Sequence, residues 1–271
     1  MTVMNPKISY TIWFTQRTGS TLLCKALENT GLAGKPEELP HLKKPAEFLE
    51  HYEVNNYHAL KENIWEKYST DNGVLGTKIS YYEPYISTLL DTFNKFTSNK
   101  TDSFNKNISY SRPDIWENAF PNCKHIFMTR RNKIRLAVSW WKAIQTDTWH
   151  RKKSKGKVKN NISGVKQEQL VFDDKYNYEA INQLLFESIF REAGIQEFLA
   201  ERNIVPLTIT YEDFINNYEG TVKNILDYLN IETENVNISP PFYEKLADDI
   251  SEKWVQKFRE ESQEEWDNKG W

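Results

Sequence analysis

Thr15-Gln16-Arg17-Thr18-Gly19-Ser20-Thr21 follows an apolar run and leads at once into a helical pattern. That composition suits an anion socket. A helix start leaves backbone N–H groups without intrahelical acceptors, and the aligned peptide dipoles favour negative charge there. Gly19 lets a ligand come close to the backbone, Arg17 brings a permanent positive charge, and the Ser20 and Thr21 hydroxyls add donors. The chemistry to expect is the binding or transfer of a phosphate-like group, with Arg17, Thr18, Gly19, Ser20 and Thr21 as the binding residues. An ordinary capped strand–helix turn also places hydroxyls near a helix start. The arginine inside the turn and the two hydroxyls behind the glycine weigh against that simpler reading.

A nucleoside-triphosphate P-loop reads G-x-x-x-x-G-K-[ST], with its lysine on the β/γ-phosphates and its hydroxyl on magnesium. The turn here is shorter, has a single glycine and lacks a lysine before Ser20, so the match fails. No G-x-S-x-G elbow supports a hydrolase. His51 and His58 are not at helical metal spacing, and His41, His125 and His150 are isolated in the sequence, so no metal site is expected. Cys24 and Cys123 are too few for a zinc site or a disulfide framework, and Cys24 falls where a helix would bury it. Arg151 to Lys159 holds six Lys or Arg in nine residues. A like-charge block of that kind is ordinarily a solvated loop; the sharper alternative is a lid or strip that attracts a polyanion.

These residues need elements to position them. Four β-like runs, Ile8–Phe14, Val74–Ile79, His125–Met128 and Val205–Tyr211, alternate with helical patterns. That is the signature of an α/β fold with a mostly parallel sheet flanked by helices. Loops at strand C-termini would then carry the ligand, near the point where strand order reverses. Pro206 should sit at the entry of the last strand, because proline removes a ladder donor. Helices are predicted over about 20–30, 132–148, 177–202 and 248–265. The first stripe is Leu22, Leu23, Ala26 and Leu27; the second is Ile134, Val138, Trp141, Ile144 and Thr148. Polar stretches at about 96–113 and 151–167 read as irregular excursions from a single domain over residues 1–271.

Of the 271 residues, 35 are Lys or Arg and 38 Asp or Glu, a formal net charge of −3 that excludes a surface basic throughout. Nucleic acid is therefore not an expected partner. Mean hydropathy is −0.71, yet aromatics make up 14% of the chain, nine of them Trp, which fits a globular fold rather than disorder. No apolar run reaches the ~20 residues a membrane span needs, and the first ten residues lack a signal-peptide apolar region. The expectation is a cytoplasmic protein with no membrane span; a homodimer is left open.

The turn Arg17–Thr21, of the form R-[ST]-G-[ST]-[ST], resembles the 5′-phosphosulfate loop of sulfotransferases that use 3′-phosphoadenosine-5′-phosphosulfate (PAPS). Gln16 to Cys24 followed by Thr30-Gly31-Leu32-Ala33-Gly34-Lys35-Pro36-Glu37-Glu38 is similar to the bacterial trehalose 2-sulfotransferase family. Thr129 to Trp149 resembles that family's 3′-phosphate segment, in which an Arg ends a strand and a Ser follows nine residues later, as Arg130 and Ser139 do. Ile209 to Asp213 is similar to its late strand, and Glu252 to Arg259 to its C-terminal segment. The likeness is thin over 96–113 and 151–167. It implies the sulfotransferase fold and PAPS as donor, with Arg17 to Thr21 on the 5′-phosphosulfate and Arg130 and Ser139 on the 3′-phosphate. Lys253 and Lys257 stand as further phosphate contacts, although helix residues among acidic neighbours are as readily solvated. Trp254 and Phe258 are better read as core than as adenine-stacking groups.

The same resemblance makes Glu38 the catalytic base, with Glu37 as the adjacent alternative, and puts Arg17 at the transfer step. No metal is chemically required, because Arg17 and the loop N–H groups can neutralise the leaving phosphate. The implied acceptor is a saccharide hydroxyl; a small natural product of secondary metabolism, sulfated on oxygen or on an amine or guanidine nitrogen, is the other reading. Two further classes stay open: a nucleotide-dependent small-molecule kinase and a non-catalytic polyanion-binding protein built on Arg151–Lys159.

Overall fold

The first apolar run forms β1 (Ile8–Phe14), buried everywhere except at Ile8. In the computed structural model, residues 5–96, 111–150, 175–234, 236–243 and 248–264 are described. With β2 (Glu37–Glu38), β3 (Val74–Ser80), β4 (Cys123–Thr129) and β5 (Leu207–Thr210), β1 makes a five-stranded sheet of order β2-β3-β1-β4-β5. All its pairings are parallel. The chain builds the β2–β3 side of β1 first and then crosses to β4 and β5, so strand order reverses beside β1. In such sheets the ligand crevice lies off the strand C-termini at that reversal, which is where the Thr15–Thr21 turn leaves β1.

A central parallel strand must satisfy both faces without water, and β1 does so by alternation. Trp13 joins a core with Ile64, Trp65, Leu89, Phe93, Trp116 and Phe198, whereas Tyr10, Ile12 and Phe14 enter another with Leu23, Leu27, Phe214 and Ile225. On the Trp13 face Thr11 and the Trp13 indole are hydrogen-bonded, as burial demands, whereas the buried Ser9 Oγ has no hydrogen-bond partner among the described residues. Thr11 Oγ1 lies 3.2 Å from Thr77 Oγ1 and accepts from Trp116 Nε1 at 3.0 Å, and Trp13 Nε1 donates to His125 Nδ1 at 2.9 Å. The first face is covered by α2 (Pro45–His51), α3 (Tyr57–Tyr68), α4 (Glu83–Asn94) and α5 (Arg112–Ala119). The second is covered by α1 (Ser20–Glu28), α8 (Tyr211–Asn216) and α9 (Tyr218–Tyr228).

The chain divides into two compact units, Met1–Thr129 with Arg191–Pro240 and Arg130–Phe190 with Pro241–Trp271. The sheet belongs to the first. The second contains α6 (Lys133–Thr146), the N-terminal part of α7 (Tyr178–Ala200) and α10 (Asp249–Gln263). Its own core joins Ala137, Val138, Ile181, Trp254, Val255 and Phe258. Asn132 caps α6 by accepting from Arg135 N at 2.9 Å, and Asp248 caps α10 by accepting from Ser251 N at 3.0 Å. Arg135 pairs with Glu252 at 2.7 Å, and Lys142 with Asp248.

The four strands read from the sequence are present, and β5 begins just after Pro206. The fifth strand, β2, was not anticipated, nor was α5, which starts inside the expected excursion at 96–113. Phe96 at its other end is buried, at 7% exposure. Residues 97–110 and 151–174, which hold the rest of both excursions and the Arg151–Lys159 run, lie outside the described residues. The predicted α6 stripe holds in part: Val138 is buried and Ile134 and Trp141 pack on the same core, but Ile144 is 45% exposed, and Leu136, Trp140 and Ala143 are buried as well. The helix buries two faces, so a single 3.6-residue stripe describes it poorly. Cys24 is buried, as are Trp254 and Phe258. Among the described residues no helix is long and apolar enough to cross a membrane.

Candidate active site

The turn after β1 is shaped by two left-handed residues, Arg17 at φ 67° and Gly19 at φ 84°. Gly19 is the N-cap of α1, and no side chain caps this helix. The hydroxyl-capped turn that was the simpler sequence reading is therefore not how the chain folds here. Thr18 spends its hydroxyl on the turn itself, donating to Thr15 O at 2.8 Å, and is fully buried. A Cβ at position 19 would stand 2.7 Å from Tyr211 Cδ2, so glycine is required both by conformation and by the ring packed against it. Since Leu23 N is the first amide bonded back, to Gly19 O at 3.1 Å, the N–H groups of Ser20, Thr21 and Leu22 precede the intrahelical ladder. The result is a short, rigid donor cluster at the positive end of a helix, with a guanidinium in the same turn.

Glu38 reaches the sheet through a backbone contact. Gly34, at φ 69°, packs so closely on β3 that an added Cβ would be 2.6 Å from Gly76 N and 3.1 Å from two carbonyl oxygens. The two-residue strand that follows places Glu38 opposite Lys78 in register. Glu38 is thus on an edge strand, not in the solvated loop that two adjacent carboxylates would suggest. Its Oε1 receives His41 Nε2 at 2.9 Å, and its Oε2 faces Lys78 Nζ at 3.5 Å. Burial opposes the charged form, but the His41 hydrogen bond and the Lys78 ammonium outweigh it and hold the carboxyl below its usual range. Glu37, by contrast, is exposed. Lys78 Nζ also lies 4.9 Å from the ring centroid of Phe14, the last residue of β1.

Between these strand ends lies a polar network that the sequence did not reveal. Gln16 Nε2 donates to Ser80 Oγ at 2.8 Å, and Arg191 Nη1 donates to Gln16 Oε1 at 3.0 Å and to Ser80 Oγ at 3.1 Å. The Arg191 guanidinium lies 5.4 Å from the Tyr82 ring centroid. Only Gln16 carried a signal, through its place in the loop motif; Ser80 and Arg191 come from strand and helix positions without local chemistry.

In the second unit, Arg130 immediately follows β4 and is only 9% exposed, unlike a solvated strand-end charge. Ser139 is half-buried on α6. Lys253 is exposed on α10, and Lys257 Nζ lies 4.3 Å from the Tyr176 centroid and 3.8 Å from Glu261. The depression lined by these two lysines also presents Asp249, Glu252, Glu260 and Glu261, a setting that is acidic on balance. Among the described residues no group of three His, Cys, Asp or Glu is arranged to hold a metal ion.

The family model described as Stf0 sulphotransferase matches residues 9–261, which is nearly the whole chain. The chain belongs to the Stf0 sulphotransferase family. Two curated relatives are trehalose 2-sulfotransferases. That of Mycolicibacterium smegmatis is 24% identical, the alignment covering 94% of this chain and 96% of the relative. That of Mycobacterium tuberculosis is 25% identical, covering 93% and 95%. A solved sulfotransferase from Alicyclobacillus acidocaldarius aligns over 93% of this chain and 92% of its own, with 15% identity and a TM-score of 0.44. Membership of the Stf0 family makes sulfuryl transfer the reaction class and a sulfate donor its co-substrate. The family match begins in β1 and runs through the Arg17–Thr21 turn, Glu38, Arg130, Ser139 and most of α10.

Proposed function

We propose that this Stf0-family protein transfers the sulfuryl group of PAPS to an acceptor hydroxyl on a saccharide or small natural product; an amine or guanidine nitrogen is the other acceptor this chemistry admits. The observation that carries the reading is the combination of two features on one sheet: an uncapped, arginine-bearing donor turn at the end of β1 and a carboxylate kept ionised on β2. Transfer of this kind passes through a loose, in-line transition state, so positioning and charge stabilisation supply most of the catalysis. As the acceptor oxygen bonds to sulfur, the bridging S–O bond breaks and its electron pair stays on the 5′-phosphate of adenosine 3′,5′-bisphosphate. Arg17 and the N–H groups from Gly19 to Thr21 take up that charge, with the Ser20 and Thr21 hydroxyls beside them. Glu38 accepts the acceptor's proton. Arg130 and Ser139 are assigned the 3′-phosphate, with Lys253 and Lys257 as solvent-screened auxiliary charges. No step calls for a metal.

Incubation with ³⁵S-labelled PAPS and a panel of sugars, glycan fragments, hydroxylated metabolites and guanidines tests the reaction. Label should pass to an acceptor, and transfer should persist in EDTA; magnesium-dependent phosphorylation from ATP instead would identify a kinase. Glu38→Gln should bind the bisphosphate normally yet lose about 100-fold or more in kcat, and unchanged turnover removes Glu38 as base. Arg130→Ala should weaken bisphosphate binding by about 10-fold or more in calorimetry; normal affinity refutes that assignment.

A further inference from the structure

Resting on the reading of Glu38 as the base, we propose that His41 and Lys78 are positioning residues for transfer, a clamp that grips one carboxylate oxygen each and keeps Glu38 aligned and ionised. The two contacts fall on different atoms, His41 Nε2 on Oε1 at 2.9 Å and Lys78 Nζ on Oε2 at 3.5 Å. Exposed ion pairs contribute little, because two long side chains lose freedom to make them. Here both partners are held by other elements. The His41 ring stacks on Tyr85, with centroids 4.0 Å apart and planes 13° apart. Tyr85 is itself buried on α4, and its hydroxyl donates to Leu39 O at 2.9 Å, tying the stacking plate to the residue after Glu38. Lys78 rises from the neighbouring strand in register with Glu38, its side chain 13% exposed and its ammonium over Phe14.

The geometry sets the proton arrangement. An ionised carboxylate only accepts, so His41 presents Nε2–H toward Glu38. Other titratable groups near Glu38 are Tyr85 on α4, Cys24 on α1 and Glu37 on its own strand; burial raises both the Tyr85 hydroxyl and the Cys24 thiol, the latter to about 12, so both stay neutral. Lys78 and His41 are therefore the groups that offset the burial of Glu38. Loss of either leaves that burial less opposed, and the carboxyl must titrate higher. During transfer the acceptor's proton moves to a Glu38 oxygen and then to water, which restores the carboxylate.

The test follows the Glu38 carboxyl by ¹³C NMR titration of the full-length protein without donor, alongside pH profiles of kcat/KM. His41→Ala and Lys78→Met should each raise the Glu38 midpoint, and with it the acidic limb of the profile, by about one pH unit. They should also lower kcat several-fold, with bisphosphate affinity within twofold of wild type. His41→Gln, whose amide N–H can replace Nε2–H, should restore most of the loss. An unmoved midpoint and acidic limb in both variants, with Glu38→Gln inactive, would overturn the clamp and leave the base reading intact. Full turnover by Glu38→Gln would overturn the base reading, and the clamp's catalytic role with it.

Discussion

The fold changes the chemistry of His125. It is 5% exposed on β4, and its Nδ1 accepts from Trp13 Nε1 at 2.9 Å, which leaves the ring proton on Nε2. Burial lowers its pKa to about 4. The folded state therefore excludes a proton that the unfolded chain binds below about pH 6.5. Since the unfolded state holds more protons between those values, stability rises with pH across that window. It should be fully present above pH 6.5 and fall by about 3 kcal/mol as pH drops toward 4. Urea midpoints measured from pH 4 to 7.5 check the slope, and His125→Asn should flatten it. Gly19 makes a different demand at the same scale. Gly19→Ala combines φ 84° with a 2.7 Å approach to Tyr211, and should cost about 1–3 kcal/mol in a denaturant melt. Bisphosphate affinity should fall as well; a variant with native stability and binding would show that the ring gives way.

The placement of Glu38 is a matter of elements, because β2 exists only where the Gly34 turn meets β3. Gly34→Ala would push backbone against backbone, at Gly76 N and at the Tyr68 and Val74 carbonyls, and should lift β2 from the sheet. The expected signature is a fall of about tenfold or more in kcat, with bisphosphate binding nearly unchanged because the β1 turn is untouched. Equal loss of both would mean that β2 supports the donor site too. This element also marks the limit of what the sequence discloses. β1 and β3 are legible because they are mostly apolar runs that the sheet buries on both faces, and the donor turn because its residues are contiguous. Two glutamates have poor strand propensity, so β2 looks like loop until β3 pairs with it. Lys78 lies forty residues beyond Glu38, and only strand order makes them neighbours. His41 was within reach, at Glu38 plus three, yet a histidine beside a carboxylate acquires meaning only once the stacking face of Tyr85 is known. Gln16, Ser80 and Arg191 assemble from the turn after β1, from β3 and from α7, a convergence invisible to local pattern.

At the scale of the molecule, a formal charge of −3 is compatible with the polyanionic donor proposed above, because the cations assigned to it occupy particular positions. Arg17 sits in a turn and Arg130 is nearly buried, while acidic side chains such as those around Lys253 and Lys257 keep the total near balance. Arg17 belongs to the sheet unit and Arg130 and Ser139 to the helical unit, and each unit has a core of its own. The helical core rests heavily on Trp254, 2% exposed and clustered with Val255, Phe258 and the α6 residues Ala137 and Val138. Trp254→Ala removes the largest side chain of that cluster and should cost about 3–5 kcal/mol. Because β1, β3 and β4 bury their side chains in other cores, hydrogen exchange should accelerate in α6 and α10 while amides of those strands keep their protection. Protection lost in parallel from β1 and β3 would instead reveal one cooperative domain, the organisation expected from the sequence. In that case substitutions in the helical core would weaken the Arg17 turn as much as the Arg130 site.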